Sequence, residues 1–199
     1  MTRVTIFDYG AGNLHSLAKA LSGDGVSLRV QSDPLAALDT DVLVLPGVGN
    51  FAQAAERLAP ARAAMRDAIR GGLPTLGVCL GMQLLFESSA EGPGPGLGVL
   101  AGPVTRVAAV RVPHIGWNSI DDASDQLFCA APLGRAYFAN GFACRPANDR
   151  AVIAWTTHET DRFPAAVRVG RTLGVQFHPE KSSAAGVVFV RAFLAEAAR

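Results

Sequence analysis

The segment Gly77-Val78-Cys79-Leu80-Gly81 limits what this chain can fold into more than any other. The apolar run Leu73–Val78 predicts a short buried strand, and Leu80–Glu87 has the character of a helix. A central residue flanked by glycines two positions away on each side, at a strand-to-helix boundary, is the pattern of a nucleophile elbow. Glycines relieve the crowding of such a sharp turn. The turn would lift the Cys79 side chain above the edge of a sheet.

A cysteine at the centre of an elbow is suited to nucleophilic catalysis. The dipole of the following helix favours the thiolate form of Cys79, and the next backbone N–H groups point to the position where an oxyanion would develop. A free cysteine is more commonly a buried structural residue. The two glycines at the strand-to-helix boundary favour the catalytic interpretation of Cys79.

The length and charge of the chain indicate the number of domains and the kinds of partner to expect. The chain has 199 residues, enough for a substantial core, and we expect a single domain over residues 1–199. The 18 basic and 17 acidic residues nearly balance, giving a formal net charge of +1. Because the sequence has no charge run and no basic stripe, a nucleic-acid partner is not expected.

The cysteines and the apolar runs indicate the compartment. Cys79, Cys129 and Cys144 are odd in number and irregularly spaced, which argues against a disulfide framework and for a reducing environment. The N-terminal residues enter a strand at once, without the apolar core of a signal peptide. No apolar run approaches the length that spans a bilayer. These features predict a soluble, cytoplasmic protein without membrane contact.

The first half of the chain alternates between apolar strands and helices. Nearly continuous apolar strands separated by helices are typical of a parallel sheet covered on both faces. We therefore predict an α/β fold with an open, mostly parallel sheet flanked by helices. The predicted strands are Val4–Tyr9, Val26–Val30, Val42–Leu45 and Leu73–Val78, and the predicted helices are Leu14–Leu21, capped by Asn13, and Phe51–Arg70, broken near Pro60.

The second half changes character after Glu87. The Gly- and Pro-rich segment 91–98 cannot form regular structure, and short strands follow it. We predict that these strands form a mixed or antiparallel extension of the same sheet, and that an amphipathic helix over Ser182–Arg199 ends the chain. The predicted strands are Val104–Val112, Ala136–Phe138, Val152–Thr156, Ala166–Val169 and Thr172–Phe177, and the predicted inward-facing helix residues are Val187, Val188, Val190, Phe193 and Leu194.

A partial dinucleotide-binding pattern near the N-terminus offers a different function. Gly10-x-Gly12 follows a strand and precedes a helix, and Asp33 lies about where a ribose-binding acid would be. His15 replaces the third glycine of the pattern, and its bulk would hinder close packing of helix and strand. A structural turn, or a surface that presents Asn13 to a partner, is the favoured interpretation.

A nucleophilic cysteine needs a base, and the base needs a residue that orients it. His178 stands out because it follows an apolar strand and precedes Pro179, which cannot extend a sheet ladder. It is therefore expected at the sheet edge where open α/β folds bind ligands. Glu180 can hold one imidazole nitrogen and leave the other facing Cys79. The alternative for a lone histidine, a structural role, is disfavoured by this pairing.

These residues resemble a known family. Gly77–Gln83 together with Gln176–Glu180 is similar to the class I, triad-type glutamine amidotransferases, and within that class to the glutaminase subunits of imidazole glycerol phosphate synthase. Supporting segments occur in order along nearly the whole chain. They are Asp8–Leu14, Leu45–Gly49, Pro113–Asn118 and His178–Ser182. Within them, Gly-Trp-Asn and the lysine after His-Pro-Glu point to the subfamily.

The resemblance implies that glutamine is hydrolysed to glutamate and ammonia by a triad, without a cofactor or a metal. Cys79 attacks the side-chain amide of L-glutamine and forms a glutamyl thioester, which water then hydrolyses. His178 accepts the thiol proton and later delivers a proton to the departing ammonia. Glu180 fixes the imidazole.

The resemblance also implies an oxyanion hole and substrate contacts. The N–H of Leu80 is one implied oxyanion donor. A second comes from the loop Gly47-Val48-Gly49, whose glycines allow a peptide flip that switches the hole on; the alternative for this loop is a simple turn after a strand. Gln83 is an implied glutamine-binding residue.

One segment departs from the family pattern. The family usually has His-Ser-Tyr where this chain has Asn140-Gly141-Phe142, and its backbone helps to hold the α-carboxylate of the substrate. If main-chain N–H groups do the binding, the changed side chains are tolerated. If the family's Ser or Tyr side chain contributes, affinity or activation is altered. Asn140, Gly141 and Phe142 are therefore included as candidate substrate-binding residues.

The resemblance implies a heterodimer with a cyclase subunit folded as a (β/α)8 barrel. Ammonia is volatile and protonated in neutral water, so it would pass directly to that subunit, which makes imidazole glycerol phosphate and an aminoimidazole carboxamide ribotide in histidine biosynthesis. The candidate docking residues are Asn13, Trp117, Asn118, Tyr137 and Lys181. An exposed tryptophan with polar neighbours suits an interface anchor, and the alternative for Trp117 is an ordinary core aromatic.

Two other functions stay open on the sequence alone. A glutaminase could serve another synthase, although the Gly-Trp-Asn segment and Lys181 argue against it. A non-catalytic nucleotide-binding module could be built on Gly10-x-Gly12, but such a module would be expected to lack the cysteine, the histidine or the glutamate of the triad. All three are present.

Overall fold

The computed structural model describes residues 1–10, 14–47 and 49–199. In the first part of the chain, strands and helices alternate as predicted. The elements are β1 (Thr2–Phe7), α1 (His15–Leu21), β2 (Val26–Gln31), β3 (Val42–Leu45), α2 (Phe51–Leu58), α3 (Arg62–Arg70), β4 (Thr75–Val78) and α4 (Leu80–Leu84). The predicted break at Pro60 separates α2 from α3, and Asn50 caps α2 by accepting from the N–H of Ala52. The predicted cap Asn13 lies outside the described residues.

The second part of the chain contains more strands than helices. Its elements are β5 (Ser88–Ser89), β6 (Pro103–Arg106), β7 (His114–Ser119), α5 (Gln126–Ala130), β8 (Arg135–Asn140), β9 (Phe142–Cys144), β10 (Val152–His158), β11 (Asp161–Val169), β12 (Thr172–Val175) and α6 (Ser183–Ala197). The Gly- and Pro-rich segment before β6 is built from turns and bends, as predicted.

The main sheet has seven strands in the order β10-β11-β12-β4-β3-β1-β2. The strands from β12 to β2 pair in parallel, and β10-β11-β12 pair antiparallel. The predicted α/β class and the mixed extension of a mostly parallel sheet are therefore confirmed. The C-terminal strand β12 inserts between β4 and β11, with Val175 paired to Val78. As a result, β4 and β12 are adjacent and parallel, and the segments that follow them begin at the same edge of the sheet.

The sheet is covered on both faces, which explains why the central strand β3 is apolar at every position. In β3, Val42 and Val44 pack into the core on the face of α1, α5 and α6, whereas Leu43 and Leu45 pack on the face of α2, α3 and α4. All four side chains are fully buried. A parallel strand of this kind has no solvated face, so its sequence does not alternate.

The predicted extension is wrong for two segments. β6 pairs with β5 and β9 in a separate three-stranded sheet, and β7 pairs with β8 in a two-stranded one. The predicted strand Val104–Val112 is a strand only as far as Arg106. Beyond Arg106, side-chain carboxylates accept hydrogen bonds from the backbone N–H groups that would otherwise pair with a neighbouring strand. Asp161 accepts from the N–H of Ala108, and Glu159 accepts from the N–H groups of Val110 and Arg111.

Two helix predictions also need correction. The helix predicted to run to Glu87 ends at Leu84, because the carbonyls of residues 84–86 accept from the N–H groups of Leu97, Gly98 and Leu100 instead. In α6, Val188 is 54% exposed rather than inward-facing. The buried face of α6 instead follows the helical spacing of Gly186, Phe189, Val190, Phe193 and Leu194.

Candidate active site

Cys79 occupies a sharp turn between β4 and α4. It has φ 46° and ψ −101°, a conformation that residues with a side chain rarely adopt. The flanking glycines are required by close backbone contacts. A Cβ atom on Gly81 would lie 1.9 Å from the carbonyl oxygen of Leu45, and one on Gly77 would lie 2.7 Å from the carbonyl oxygen of Gly81. The elbow thus depends on helix α4 packing directly against the neighbouring strand.

His178 reaches Cys79 from the adjacent strand. The chain continues past the end of β12 for three residues, and the N–H of His178 then donates to the carbonyl of Tyr137 in β8 at 2.8 Å. Cys79 and His178 are 6% and 3% exposed, so the pair is largely shielded from water. The parallel pairing of β4 with β12 is what brings these two distant parts of the sequence together.

Glu180 orients the imidazole of His178. The His178 Nδ1 atom and the Glu180 Oε1 atom are 2.8 Å apart, and both side chains are buried. Burial alone would lower the pKa of His178, but the hydrogen bonds and charges of Cys79 and Glu180 outweigh it and raise the pKa to about 10. The site therefore favours the protonated, imidazolium form of His178.

Gly47 lies against both the cysteine and the histidine. A Cβ atom at this position would be 3.0 Å from His178 Cε1 and 3.1 Å from Cys79 Cβ. The loop after β3 thus lies beside the Cys79 side chain, where an oxyanion donor would be needed. Gly49 has φ 122°, a conformation that favours glycine, and Val48 lies outside the described residues. Leu80 is the first residue of α4, directly after the cysteine.

A chain of buried amides connects the cysteine to β9. The Nε2 atom of Gln176 donates to Cys79 Sγ at 3.4 Å, and the Nε2 atom of Gln83 donates both to Gln176 Oε1 at 3.3 Å and to the carbonyl of Phe142 at 3.1 Å. Gln176 is not among the site residues predicted from the sequence. Its position two residues before His178, beyond a strand parallel to β4, was the signal that could have identified it.

The segment Asn140-Gly141-Phe142 joins the last residue of β8 to the first residue of β9. The Asn140 side chain is buried and donates to the carbonyl of Phe142 at 3.0 Å, and the Gly141 carbonyl accepts from the N–H of Val107. These contacts use the carbonyl oxygens of the segment. Its connection to the cysteine runs through Gln83 and the Phe142 carbonyl.

Three of the candidate docking residues form one surface. The rings of Trp117 and Tyr137 are 6.5 Å apart and meet edge to face, and Lys181 Nζ lies 6.0 Å from the Tyr137 ring centre. Trp117 is 48% exposed, so it is not a core aromatic. Asn118, beside Trp117 on β7, instead donates its amide to the carbonyl of Thr157 at 2.8 Å. Asn13 lies outside the described residues.

The residues of the dinucleotide-like pattern have structural roles where they are described. The N–H of Gly10 donates to the Asp8 carboxylate at 2.8 Å. Asp33 accepts from the N–H groups of Leu35 and Ala36, and so stabilises the turn that follows β2. These bonds account for Asp33 without a ribose. Residues 11–13, which include Gly12, lie outside the described residues.

Two further searches cover the described residues only. Over the ranges 1–10, 14–47 and 49–199, His, Cys, Asp and Glu side chains form no group of three that could hold a metal ion. Over the same ranges, none of the helices combines the length and the apolar character that crossing a membrane requires.

The family model described as glutamine amidotransferase class-I matches residues 5–197. The chain is 41% identical over 196 residues to the imidazole glycerol phosphate synthase subunit HisH of Pyrococcus furiosus, covering 97% of this chain and 98% of that protein. It is 43% identical over 193 residues to the HisH subunit of Symbiobacterium thermophilum, covering 94% and 91% of the two chains.

Solved structures have the same fold. A crystal structure of a glutamine amidotransferase superimposes with a TM-score of 0.75 at 21% identity, covering 98% of this chain and 99% of that one. The structure of PurLQS from Thermotoga maritima gives a TM-score of 0.71, also at 21% identity and with 98% and 99% coverage. At this level of identity the likeness is one of fold alone.

Proposed function

Because the chain belongs to the class I glutamine amidotransferase family, and within it to the HisH subunits of imidazole glycerol phosphate synthase, we propose how its residues hydrolyse glutamine in histidine biosynthesis. The observation that carries the proposal is the strained turn at Cys79 beside the buried His178–Glu180 pair. This arrangement supplies a nucleophile, a proton carrier and a residue that orients the carrier.

The proposed reaction has two halves. In the first, the Cys79 thiolate attacks the side-chain amide carbon of glutamine, the His178 imidazolium gives its proton to the departing nitrogen, and ammonia leaves a glutamyl thioester. In the second, neutral His178 takes a proton from water as the water attacks the thioester. Glutamate departs and the thiolate–imidazolium pair is restored. Glu180 holds the imidazole in one orientation throughout.

The oxyanion of both tetrahedral intermediates would be bound beside the elbow. We assign one donor to the N–H of Leu80 and a second to the loop Gly47-Val48-Gly49, which is supported by the contact of Gly47 with the cysteine and the histidine. Both donors belong to the backbone, so they depend on how the loop is held rather than on side-chain identity.

Substrate binding is assigned to Gln83 and to Asn140-Gly141-Phe142. The Nε2 atom of Gln83 is already committed to Gln176 and Phe142, so a contact to glutamine would use its carbonyl oxygen. In Asn140-Gly141-Phe142, the carbonyl of Phe142 accepts two internal hydrogen bonds. We therefore propose that N–H groups of this segment, rather than carbonyls, face the α-carboxylate of the substrate.

The proposed partner is a cyclase subunit folded as a (β/α)8 barrel, bound as a heterodimer. Free ammonia would be protonated and lost to water, so its transfer requires direct docking. The candidate face is the surface of Trp117, Tyr137 and Lys181, with Asn118 beside it and Asn13 included from the sequence. A half-exposed tryptophan is a suitable interface anchor.

We propose that Lys181 pairs with a carboxylate of the barrel. A double-mutant cycle between Lys181 and the acidic residues of the cyclase subunit measures this coupling through the dissociation constant of the complex. Coupling to one acid supports the pairing, and additivity with all of them removes it.

The remaining proposals concern the whole chain. Residues 1–199 would act as one amidotransferase domain, which is supported by the match of the family model over residues 5–197. A cytoplasmic location is supported by the three cysteines, each of which is free.

The experiment that tests the proposed function measures glutamate release from glutamine by the purified chain, with and without the cyclase subunit and its nucleotide ligand. We expect stimulation by the partner, and loss of at least about a thousandfold in kcat for Cys79→Ala. Cys129→Ala is the matched control, because Cys129 is an exposed free cysteine on α5. Equal activity of Cys79→Ala and the wild type would refute the assignment of the nucleophile.

A further inference from the structure

Gln176 makes a direct contact with the reactive sulfur. Its Nε2 atom lies 3.4 Å from Cys79 Sγ, a normal length for an N–H···S hydrogen bond, and its side chain is fully buried. Its backbone is held as well, since its N–H donates to the carbonyl of Ala165 in β11 at 2.9 Å. Hydrogen bonds therefore hold both the backbone and the side-chain amide of Gln176 in place.

The rest of the network determines which end of the Gln176 amide faces the sulfur. The Phe142 carbonyl can only accept, so the amide group that contacts it must be the NH2 group of Gln83. The same NH2 group also reaches Gln176, which must then present its carbonyl oxygen. The NH2 group of Gln176 is left to point at Cys79. A backbone acceptor thus sets the direction of every hydrogen bond up to the sulfur.

We propose that Gln176 is a further catalytic residue, whose amide N–H groups stabilise the negative charge on Cys79 Sγ, and that Gln83 is the positioning residue that orients it. This inference rests on the proposed function, in which Cys79 is the nucleophile. The N–H donor favours the thiolate over the thiol before attack. It acts again in the second half of the reaction, when the sulfur leaves the tetrahedral intermediate and regains its charge.

A donor to the sulfur would stabilise the thiolate of Cys79, whereas a purely structural glutamine would not. A structural Gln176 would only fill space and accept the hydrogen bond from Gln83, and a variant can keep both of these functions while it lacks the N–H donor to the sulfur. Gln176→Glu keeps an oxygen for Gln83 but removes the donor to the sulfur. Gln176→Met keeps the length of the side chain and has neither donor nor charge.

The test is the pH dependence of alkylation of Cys79 by iodoacetamide, in the full chain without glutamine and without the partner. Only the thiolate reacts, so the midpoint of the rate profile reports how strongly the anion is stabilised. The modified peptides are quantified by mass spectrometry, with exposed Cys129 as the internal reference. In Gln176→Met we expect about tenfold less thiolate at a pH below both midpoints, the usual effect of one hydrogen bond to a charged group. We expect a larger loss of Cys79 thiolate in Gln176→Glu.

The variants separate the possible outcomes. Gln83→Met retains Gln176 but removes the hydrogen bond that orients its amide, so we expect an intermediate loss of Cys79 thiolate. Unchanged Cys129 reactivity and circular dichroism establish that a variant is folded; if Gln176→Met does not fold, Gln176→Asn, shorter by one methylene, withdraws the same amide from the sulfur. A folded donor-less variant with the wild-type Cys79 profile overturns the proposal. If wild-type Cys79 titrates like Cys129, it is instead the assignment of the nucleophile that fails.

Discussion

The side-chain hydroxyl of Ser182 donates a hydrogen bond to the backbone carbonyl of His178 over 2.7 Å. The same hydroxyl accepts from the N–H of Tyr137 at 2.9 Å, while the carbonyl of Tyr137 accepts from the N–H of His178. These bonds close a ring that fixes the backbone of the histidine to β8. The ring of Tyr137 belongs to the proposed docking surface, so one residue connects that surface to the proposed base.

We predict that Ser182→Ala lowers kcat for partner-stimulated glutamine hydrolysis by about tenfold or more, with little change in KM, because the imidazole loses its fixed position. Ser182 is fully buried. The N–H of Tyr137 would lose its partner and the carbonyl of His178 would keep only the N–H of Lys181, so the free energy of unfolding should fall by about 1 to 3 kcal/mol. Steady-state kinetics and urea unfolding measure the two effects.

Ser182→Cys is the control for that prediction, since it retains a small side chain with a weak hydrogen-bonding group. We expect it to recover part of kcat. If Ser182→Ala reduced stability and left kcat at the wild-type value, the ring around His178 would have no part in catalysis.

Glu180→Gln should lower kcat by about ten- to a hundredfold, because glutamine can still accept from Nδ1 but carries no charge to stabilise the imidazolium. The pKa of His178, raised to about 10 in the wild type, should fall in the variant, which 15N NMR of the imidazole measures. Glu56→Gln, a change at an exposed position of α2, is the control.

The same shift predicts how the variant's stability depends on pH. The folded pKa of His178 lies above its ordinary value of 6.5, so protonation of His178 stabilises the fold fully below pH 6.5 and loses this effect as the pH rises toward 10. The difference in unfolding free energy between the wild type and Glu180→Gln should therefore shrink from pH 6.5 to pH 10. A difference that grows over this range contradicts the ion pair.

Gly47→Ala should reduce kcat by about a hundredfold while the protein stays folded. The added methyl group would lie 3.0 Å from His178 Cε1 and 3.1 Å from Cys79 Cβ, so the loop or the imidazole has to shift. Gly23→Ala is the matched control, because a Cβ atom there meets nothing within 4 Å. Equal activity of the two variants would mean that the loop yields without disturbing the site.

His114 should make the protein sensitive to acid. Burial, together with the charge of His158, lowers the pKa of His114 to about 4, although the nearby Asn140 side chain acts in the opposite direction. The imidazole is stacked on His158 and Phe138, with ring centres 4.2 and 5.0 Å away. The unfolded chain takes up this proton first, so stability is complete above pH 6.5 and is lost as the pH falls toward 4, by at most about 3 kcal/mol.

We expect His114→Phe, which keeps the aromatic stacking, to lose less unfolding free energy between pH 6.5 and pH 4 than the wild type. Ser16→Ala, a change at an exposed position of α1 that does not titrate in this range, should behave as the wild type does. Chemical unfolding at a series of pH values measures all three proteins. An identical slope for His114→Phe and the wild type would mean that another group takes up the proton.

Local patterns in the sequence predicted the parts of the fold that local physics determines. The continuous apolar strands indicated a covered parallel sheet, and Pro60 marked the break between two helices. The pattern around Cys79 predicted the strained turn. It did not reveal why Gly81 is needed, because the carbonyl of Leu45 that excludes a side chain there comes from a different strand.

The features that the sequence did not predict depend on contacts between distant residues. The predicted strand Val104–Val112 stops at Arg106 because the carboxylates of Glu159 and Asp161 accept from backbone N–H groups about fifty residues earlier in the chain. The sequence places Gln176 in an apolar strand, and its contact with Cys79 exists only once β12 has paired with β4. The hydrophobic pattern of a segment does not predict such contacts, because each partner lies far away in the sequence.

The insertion of β12 between β4 and β11 also has a consequence for biosynthesis. A ribosome makes the elbow and its cysteine long before it makes His178 and Glu180, and the strand that carries them can enter the sheet only after both of its neighbours exist. The nascent chain therefore holds the proposed nucleophile without its base for about half of its synthesis, from Cys79 to His178. By the proposed mechanism, ammonia production begins only when the segment with His178 and Glu180 has been added, so a truncated product would bear the thiol without being able to release ammonia.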